Sequence, residues 1–275
     1  RSLVGSEMCI RDSYKAALVA ADQFARYLPM MITAAGTAKP AKVLVLGTGV
    51  AGLQAIGTAK RLGAIVSGYD VRPASRGEVE SLGAEFLTSS VSAVGAGGYA
   101  RQLSADEQKQ QQDELVGFIK QNDIVITTAQ VPGKKPPLLV PQQAIDNAKS
   151  GSVFVDLAAS DLGGNVSGSK PGQTVMTENG AKIIGAGNLA SQLATSASEM
   201  FSKNVQAVIN DIADKDGNLN IDLTDDVMSQ LVATDHGEII SDRLRDALNL
   251  PTKQPAEDAP EEATKETKDA DKGDE

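Results

Sequence analysis

Cysteine and histidine are nearly absent: 275 residues contain one of each, Cys9 and His236. A lone cysteine closes no intramolecular disulfide, and one cysteine with one histidine cannot make a structural zinc site of the usual four-ligand kind. Positive charge is also short. Lys and Arg number 26 against 36 Asp and Glu, a net charge of -10, which argues against a nucleic-acid partner held by counterion release. Long hydrophobic runs are missing too. The longest uncharged stretch, Val43 to Ala59, is broken by Gly47, Gly49, Gly52, Gln54 and Gly57 and falls short of the ~18 apolar residues of a membrane-spanning helix. No basic segment leading into an apolar core and a small-residue cleavage site is visible near the start.

The scarcity of histidine also narrows the chemistry. Dehydrogenases of alcohols and hydroxy acids manage a substrate proton with a general acid or base, most often histidine. His236 lies in ATDHGEI among polar turn residues, which reads as a surface or loop position. No catalytic residue and no metal-ligand set is expected. Direct hydride passage between two nicotinamide rings would need close, aligned rings and excluded water rather than a proton relay.

What is present is alternation. Residues 1–13, RSLVGSEMCIRDS, show no clear period and resemble a translated adapter remnant, so a foreign leader or a disordered terminus is expected there. From Tyr14, the residues Ala17, Leu18, Ala21, Phe24, Ala25 and Leu28 recur at helical spacing, and Pro29 ends or kinks the run. Strands are predicted at Val43–Leu46, Ala64–Tyr69, Glu85–Leu87, Asp123–Thr127, Ser152–Asp156 and Lys182–Ile184. Helices are predicted from Val50 to Leu62, around Glu78–Leu82, at Ala105–Lys120 and at Pro141–Ala148. This order implies βαβ units and a mainly parallel sheet. Further on, Asn188–Ile212 reads as one long helix with an apolar stripe that needs something to pack on. DKDGN then makes a turn rather than a calcium loop, because placing Gly217 at the invariant glycine puts Ile212 and Leu223 at ligand positions. Leu219–Leu223 alternates like a strand, and Leu244–Leu250 reads as helical. From Pro251 to Glu275, nine acids stand against four bases and alanine is the main apolar residue, a solvated tether.

The sharpest motif is KVLVLGTGVAGLQAIGTAKRLGAIVSGYD. Gly47, Gly49 and Gly52 form G-x-G-x-x-G after a buried strand and at the mouth of a helix. The first glycine permits the tight turn, the second lets backbone approach a diphosphate, and the third lets helix and strand pack closely. Phosphates would sit on the free N–H groups and positive end of the helix. Asp70 ends the second strand 18 residues after Gly52, where an acid binds the adenosine ribose 2′-hydroxyl. That carboxylate favours NAD(H) over NADP(H). Arg72 is the counterweight: it could bind a 2′-phosphate, pair with Asp70, or face the cofactor phosphates or adenine. VGAGGYARQL, with Gly95, Gly97, Gly98 and Tyr99, is either a mobile flap with an aromatic tip or merely a flexible loop. The fold class expected is α/β: a Rossmann-type doubly wound parallel sheet with remnants of a second α/β domain. Its divisions are a leader at 1–13, an interdomain helix at 14–35, an NAD-binding domain at 36–187, a long helix and incomplete second domain at 188–250, and the acidic linker at 251–275.

Several strings together resemble the NAD(H)-binding component of proton-translocating nicotinamide nucleotide transhydrogenase, a relative of alanine dehydrogenase. They are FARYLPMMITAAGTAKPAKVLVLGTGVAGLQAIGTAKRLGA, YDVRPA, GGYA, DIVITTAQVPGK, GSVFVDLAA followed by GGN, and KIIGAGNLASQLA. The resemblance implies that Val50 and Ala51 of the GVAG string line NAD together with Asp70, Val71 and Arg72. It implies that Gly98 and Tyr99 belong to a flap closing over the nucleotide. Gln111 matches a contact on the following helix, and Thr128, Ala129 and Gln130 match the strand-end loop beside the cofactor. Hydride would pass directly from NADH to NADP held on another component, coupled to proton movement through a membrane domain. The implied partners are that NADP-binding component, the membrane domain and a second copy of the chain. The implied place is the cytoplasmic side of a bacterial inner membrane. Gln130 replaces a usual apolar residue, Ala190 a usual proline, and Gln192 a usual arginine. The resemblance further implies a large N-terminal part ahead of Tyr14, so the chain alone is expected to be inactive, with the helices at Tyr14–Leu28 and Asn188–Ile212 partly exposed. Two other readings stay open: an alanine-dehydrogenase-like oxidoreductase and a non-catalytic NAD-binding module.

Overall fold

A computed structural model describes residues 3–91, 103–130 and 135–251. The elements in chain order begin with α1 (Leu3–Gln23), a hairpin of β1 (Met31–Thr33) and β2 (Gly36–Ala38), β3 (Lys42–Leu46), α2 (Val50–Arg61), β4 (Ile65–Asp70), α3 (Arg76–Ser81) and β5 (Glu85–Thr88). They continue with α4 (Ala105–Gln121), β6 (Ile124–Thr127), α5 (Gln142–Asp146), β7 (Val153–Asp156), β8 (Thr174–Met176), β9 (Lys182–Gly185) and α6 (Ala194–Ile212). Last come α7 (Met228–Leu231), β10 (Thr234–Asp235), β11 (Glu238–Ile239) and α8 (Asp242–Ala247). The seven-stranded sheet has the order β5-β4-β3-β6-β7-β9-β8. It is parallel except that β8 runs antiparallel to β9. This is the expected α/β, Rossmann-like architecture.

Strand β3 shows why the sheet forms. Side chains alternate across it, so Val43 and Val45 enter one core with Ile56 of α2 and Ala16, Ala17 and Ala20 of α1, while Leu44 and Leu46 enter the other with Leu115, Ile119 and Phe154. Helices on both faces make the continuous apolar run stable. Two connections repeat one solution. After α2 and again after α3, a glycine with positive φ (Gly63, +87°; Gly83, +73°) ends the helix. Its N–H and the next one bond back to Lys60 and Ala59 in the first case, and to Glu80 and Val79 in the second. Both are Schellman stops. Helix α4 starts on a capping box between Ser104 and Glu107.

Several expectations need correction. The break expected at Tyr14 is absent: α1 is continuous from Leu3, so residues 3–13 are helical and not a disordered leader. Ser13, Ala16, Ala17 and Ala20 form a buried stripe of small residues, and the Arg11 guanidinium donates to the Ala197 carbonyl at 2.7 Å. The inner face of α1 is thus covered, while the expected partial exposure holds at Tyr14 and Ala25, which are exposed, and at Leu18 and Ala21, which are half-buried. The helix stops at Gln23, before Pro29, and the Leu28 carbonyl accepts from Ala41 N–H at 2.9 Å, tying the exit to the start of β3. The long helix expected at Asn188–Ile212 begins instead as a 3-10 turn, Leu189–Leu193, whose first turn Asn188 caps through its side chain to Ser191 N–H. Helix α6 follows and has no buried residue; Phe201, Val205 and Ile209 along it are exposed. Leu219–Leu223 is not a strand. Leu219 pairs with Ala213 in an isolated bridge, and without a partner strand among the described residues the alternating side chains stay exposed. The exposed β1–β2 hairpin and the edge strand β8 were not foreseen.

The chain divides into two units between Asp211 and Ile212, not at residue 188. The second unit, taken by itself, holds α7, the short β10–β11 hairpin and α8. Its turn at Asp214–Asn218 has Gly217 at φ +83°, with the Asp214 carboxylate accepting from Asp216 and Asn218 N–H. No helix among the described residues is long and apolar enough to cross a membrane.

Candidate functional site

The turn from β3 into α2 requires its glycines. Gly47 has φ +93° and donates its N–H to the Tyr69 carbonyl at 2.9 Å. A Cβ on Gly47 would lie 2.7 Å from Thr128 Oγ1, and one on Gly52 would run into the Gly47 carbonyl. At Gly49, the N-cap of α2, the nearest atom is Arg72 Nη2 at 3.7 Å, so that backbone is open to close approach. Helix α2 has no side-chain cap and no acid in its first turn. Its leading N–H groups and the positive end of its dipole are therefore available to an anion.

Asp70, at the tip of β4, is buried and bonded directly to this turn. Its Oδ2 accepts from Thr48 N–H at 2.8 Å and Thr48 Oγ1 at 3.2 Å. Arg72 closes on the same carboxylate as a fork, with Nη2 donating to Oδ2 at 2.7 Å and Nε to Oδ1 at 2.8 Å, and its own N–H adds 2.9 Å to Oδ1. Burial pushes the Asp70 carboxyl up, but the Arg72 guanidinium and the Thr48 amide outweigh it and hold the group below the usual aspartate value. The same pair raises Arg72. Arg72 thus pairs with Asp70, one of the roles that the sequence left open to it.

Thr128 joins the opposite side of the turn, its Oγ1 donating to the Gly47 carbonyl at 3.0 Å. Ala129 follows, and Gln130 reaches across to donate to the Leu157 carbonyl at 2.5 Å. The structure therefore brings Gly47, Gly49, Gly52, Asp70, Arg72 and Thr128 together, with Val50 exposed and Ala51 half-buried at the start of α2. Val71 packs beside the α4-side core instead. Gln111 is buried on α4, and the Tyr69 hydroxyl donates to Ser89 at 2.8 Å and to Glu114 of the same helix at 3.3 Å. Burial is the main reason the Tyr69 phenol is pushed up to about 12. Gly98 and Tyr99 lie outside the described residues.

Sequence reasoning missed Thr48, whose amide and hydroxyl both serve Asp70, and the buried pair Asp156 and Asn165. The only available signal for the last two was the string VDLAA followed by GGN. His236 sits at the tip of an exposed hairpin with φ 46° and pairs with Asp235 at 2.9 Å, which raises it. Among the described residues no group of three or more His, Cys, Asp or Glu could hold a metal ion.

The alanine dehydrogenase/PNT, C-terminal domain family matches residues 16–242. The chain is 46% identical over 235 residues to the first of the proteins that make up NAD(P) transhydrogenase subunit alpha in Rickettsia prowazekii, covering 85% of this chain and 60% of that protein. Against the protein of the same name from Rhodospirillum rubrum the identity is 44%, covering 82% and 60%. Among solved structures, the transhydrogenase from Sinorhizobium meliloti superimposes with a TM-score of 0.72 at 40% identity, over 86% of this chain and 63% of that one. The chain thus spans about 60% of the length of these two curated relatives.

Proposed function

Because the chain belongs to the alanine dehydrogenase/PNT, C-terminal domain family, we propose that it is the NAD(H)-binding component of a proton-translocating transhydrogenase. The observation that carries this reading is the bond from the Thr48 amide, inside the glycine turn, to the Asp70 carboxylate at 2.8 Å. It places an acid suited to a ribose beside a backbone suited to a diphosphate. The open approach at Gly49 and the uncapped start of α2 support the fit of a dinucleotide.

In this reading Asp70 accepts the adenosine ribose hydroxyl. Both its oxygens already accept two or more hydrogen bonds, about the capacity of a carboxylate, so the ribose displaces part of the Arg72 fork. The guanidinium, whose Nη2 lies 3.7 Å from a Cβ position on Gly49, then turns to the diphosphate. A 2′-phosphate would instead press against the carboxylate, which disfavours NADP(H). Thr128, Ala129 and Gln130 flank the nicotinamide half. Bound NADH supplies a hydride that passes directly to NADP on a partner component, with proton movement in a membrane domain. The chain acts as a homodimer with those partners at the cytoplasmic face of an inner membrane. Alone it transfers no hydride.

Isothermal titration with NADH and NADPH tests the assignment. Tighter binding of NADH is expected, and tighter binding of NADPH overturns the role of Asp70.

A further inference from the structure

Asn165 is fully buried, yet it makes an unusually complete set of contacts to backbone. Its side-chain Nδ2 donates to the Ala129 carbonyl at 2.9 Å and the Pro137 carbonyl at 2.7 Å. Its Oδ1 accepts from Ala129 N–H at 3.1 Å. Its own carbonyl accepts from Leu139 and Val140 N–H at 2.9 and 2.8 Å. One side chain therefore holds both backbone groups of Ala129 and ties them to Pro137. Only a primary amide offers two donors and an acceptor in this arrangement.

The amide is itself held in place from β7. Asp156, fully buried at the strand end, accepts from Ala158 N–H at 2.9 Å and Thr127 Oγ1 at 3.1 Å through Oδ1, and from Val166 N–H at 3.1 Å through Oδ2. The chain must turn tightly back over this carboxylate to bring Asn165 to Ala129. Gly163 does so with φ +117°, and Gly164 has no room for a Cβ, which would overlap the carboxylate. The DLAASDLGGN string is thus a carboxylate, two obligatory glycines and a backbone-reading amide.

Strand order gives this cluster its place. β3 lies between β4 and β6, and a dinucleotide lies across such a reversal point with one half on each side. Asp70 on β4 takes the adenosine side, so Ala129, leaving β6, belongs to the nicotinamide side. We propose that Asn165 is a positioning residue for the nicotinamide half of the site: by fixing Ala129 against Pro137, from an anchor on Asp156, it sets the backbone on which that half rests. This inference rests on the dinucleotide reading above.

The test uses Asn165→Asp, which puts an oxygen against two carbonyls, and Asn165→Ser, which keeps a single donor. Calorimetry on the chain compares NADH with ADP-ribose, which has the adenosine and diphosphate but no nicotinamide. The unaltered chain is expected to bind NADH more tightly than ADP-ribose. Asn165→Asp should weaken NADH by about tenfold while leaving ADP-ribose within about twofold, and amide exchange at Ala129 should quicken. Equal weakening of both ligands, or unchanged NADH affinity, overturns the proposal. So does equal affinity of the unaltered chain for both ligands, since the nicotinamide half then adds nothing to position. If circular dichroism shows Asn165→Asp unfolded, Asn165→Ser carries the same comparison. Unfolding of both variants makes the residue purely structural and also overturns the proposal. An unaltered chain that binds neither ligand is a different result: it removes the dinucleotide reading itself, and this inference with it.

Discussion

Asp70 and Arg72 form a buried-to-half-buried pair, which in the proposed function sets the choice between NADH and NADPH. Asp70→Asn removes the charge that repels a 2′-phosphate and weakens a charge-assisted bond to the ribose, an interaction of ~1.5–3 kcal/mol. NADH binding is expected to weaken by tenfold or more in order of magnitude, and the gap between NADH and NADPH to narrow. Paired titrations check both. The pair also links stability to pH. The folded chain holds Asp70 below its unfolded value, so unfolding in acid takes up a proton. The stabilisation is complete above the unfolded value of ~3.9 and is lost as pH falls through the lower folded one. Urea midpoints measured through the acid range should fall more steeply for the native chain than for Asp70→Asn. Gly52 supplies a steric counterpart. A Cβ there meets the Gly47 carbonyl, so Gly52→Ala is expected to cost ~1–3 kcal/mol as overpacking, read as a lower denaturation midpoint.

Elements differ in how much of their surface the fold uses. Ile56 of α2 is fully buried against the sheet, and Ile56→Ala should cost ~2–5 kcal/mol. Helix α6 has no buried residue, and Phe201 is 53% exposed. Phe201→Gln should therefore stay within ~0.5 kcal/mol of the native chain. Chemical denaturation of the two variants side by side checks the contrast. Helix α1 lies between these extremes. Its buried stripe of Ser13, Ala16, Ala17 and Ala20 is small and weakly apolar, and the residues ahead of it show no clear period, so its N-terminal half was not legible. Its burial depends on close approach of backbones rather than on large side chains. By contrast β3, β4, β6 and β7 were legible to within a residue or two, because burial on both faces leaves short runs of Val, Ile and Leu between glycines and polar turns.

At the scale of the molecule, the reversal of strand order at β3 puts the glycine turn, the β4 tip and the β6 exit at one edge of the sheet. In the proposed function a second nucleotide comes from another component. NADH-dependent reduction of an NADP analogue, followed by absorbance, should therefore be at background for the chain alone and appear only when the NADP-binding component is added. Turnover by the chain alone would contradict that division of labour.

By itself the amino-acid sequence determined the order of strands and helices, the glycine turn and the acid at the end of the second strand. Each of these is written in spacing within a few dozen residues and in local backbone sterics. Tertiary structure decided which partner Arg72 takes, that residues 3–13 continue a helix, and that Asn165 grips Ala129, 36 positions earlier. Those outcomes depend on which groups folding brings within hydrogen-bond distance while excluding water, and no periodicity along the chain records that.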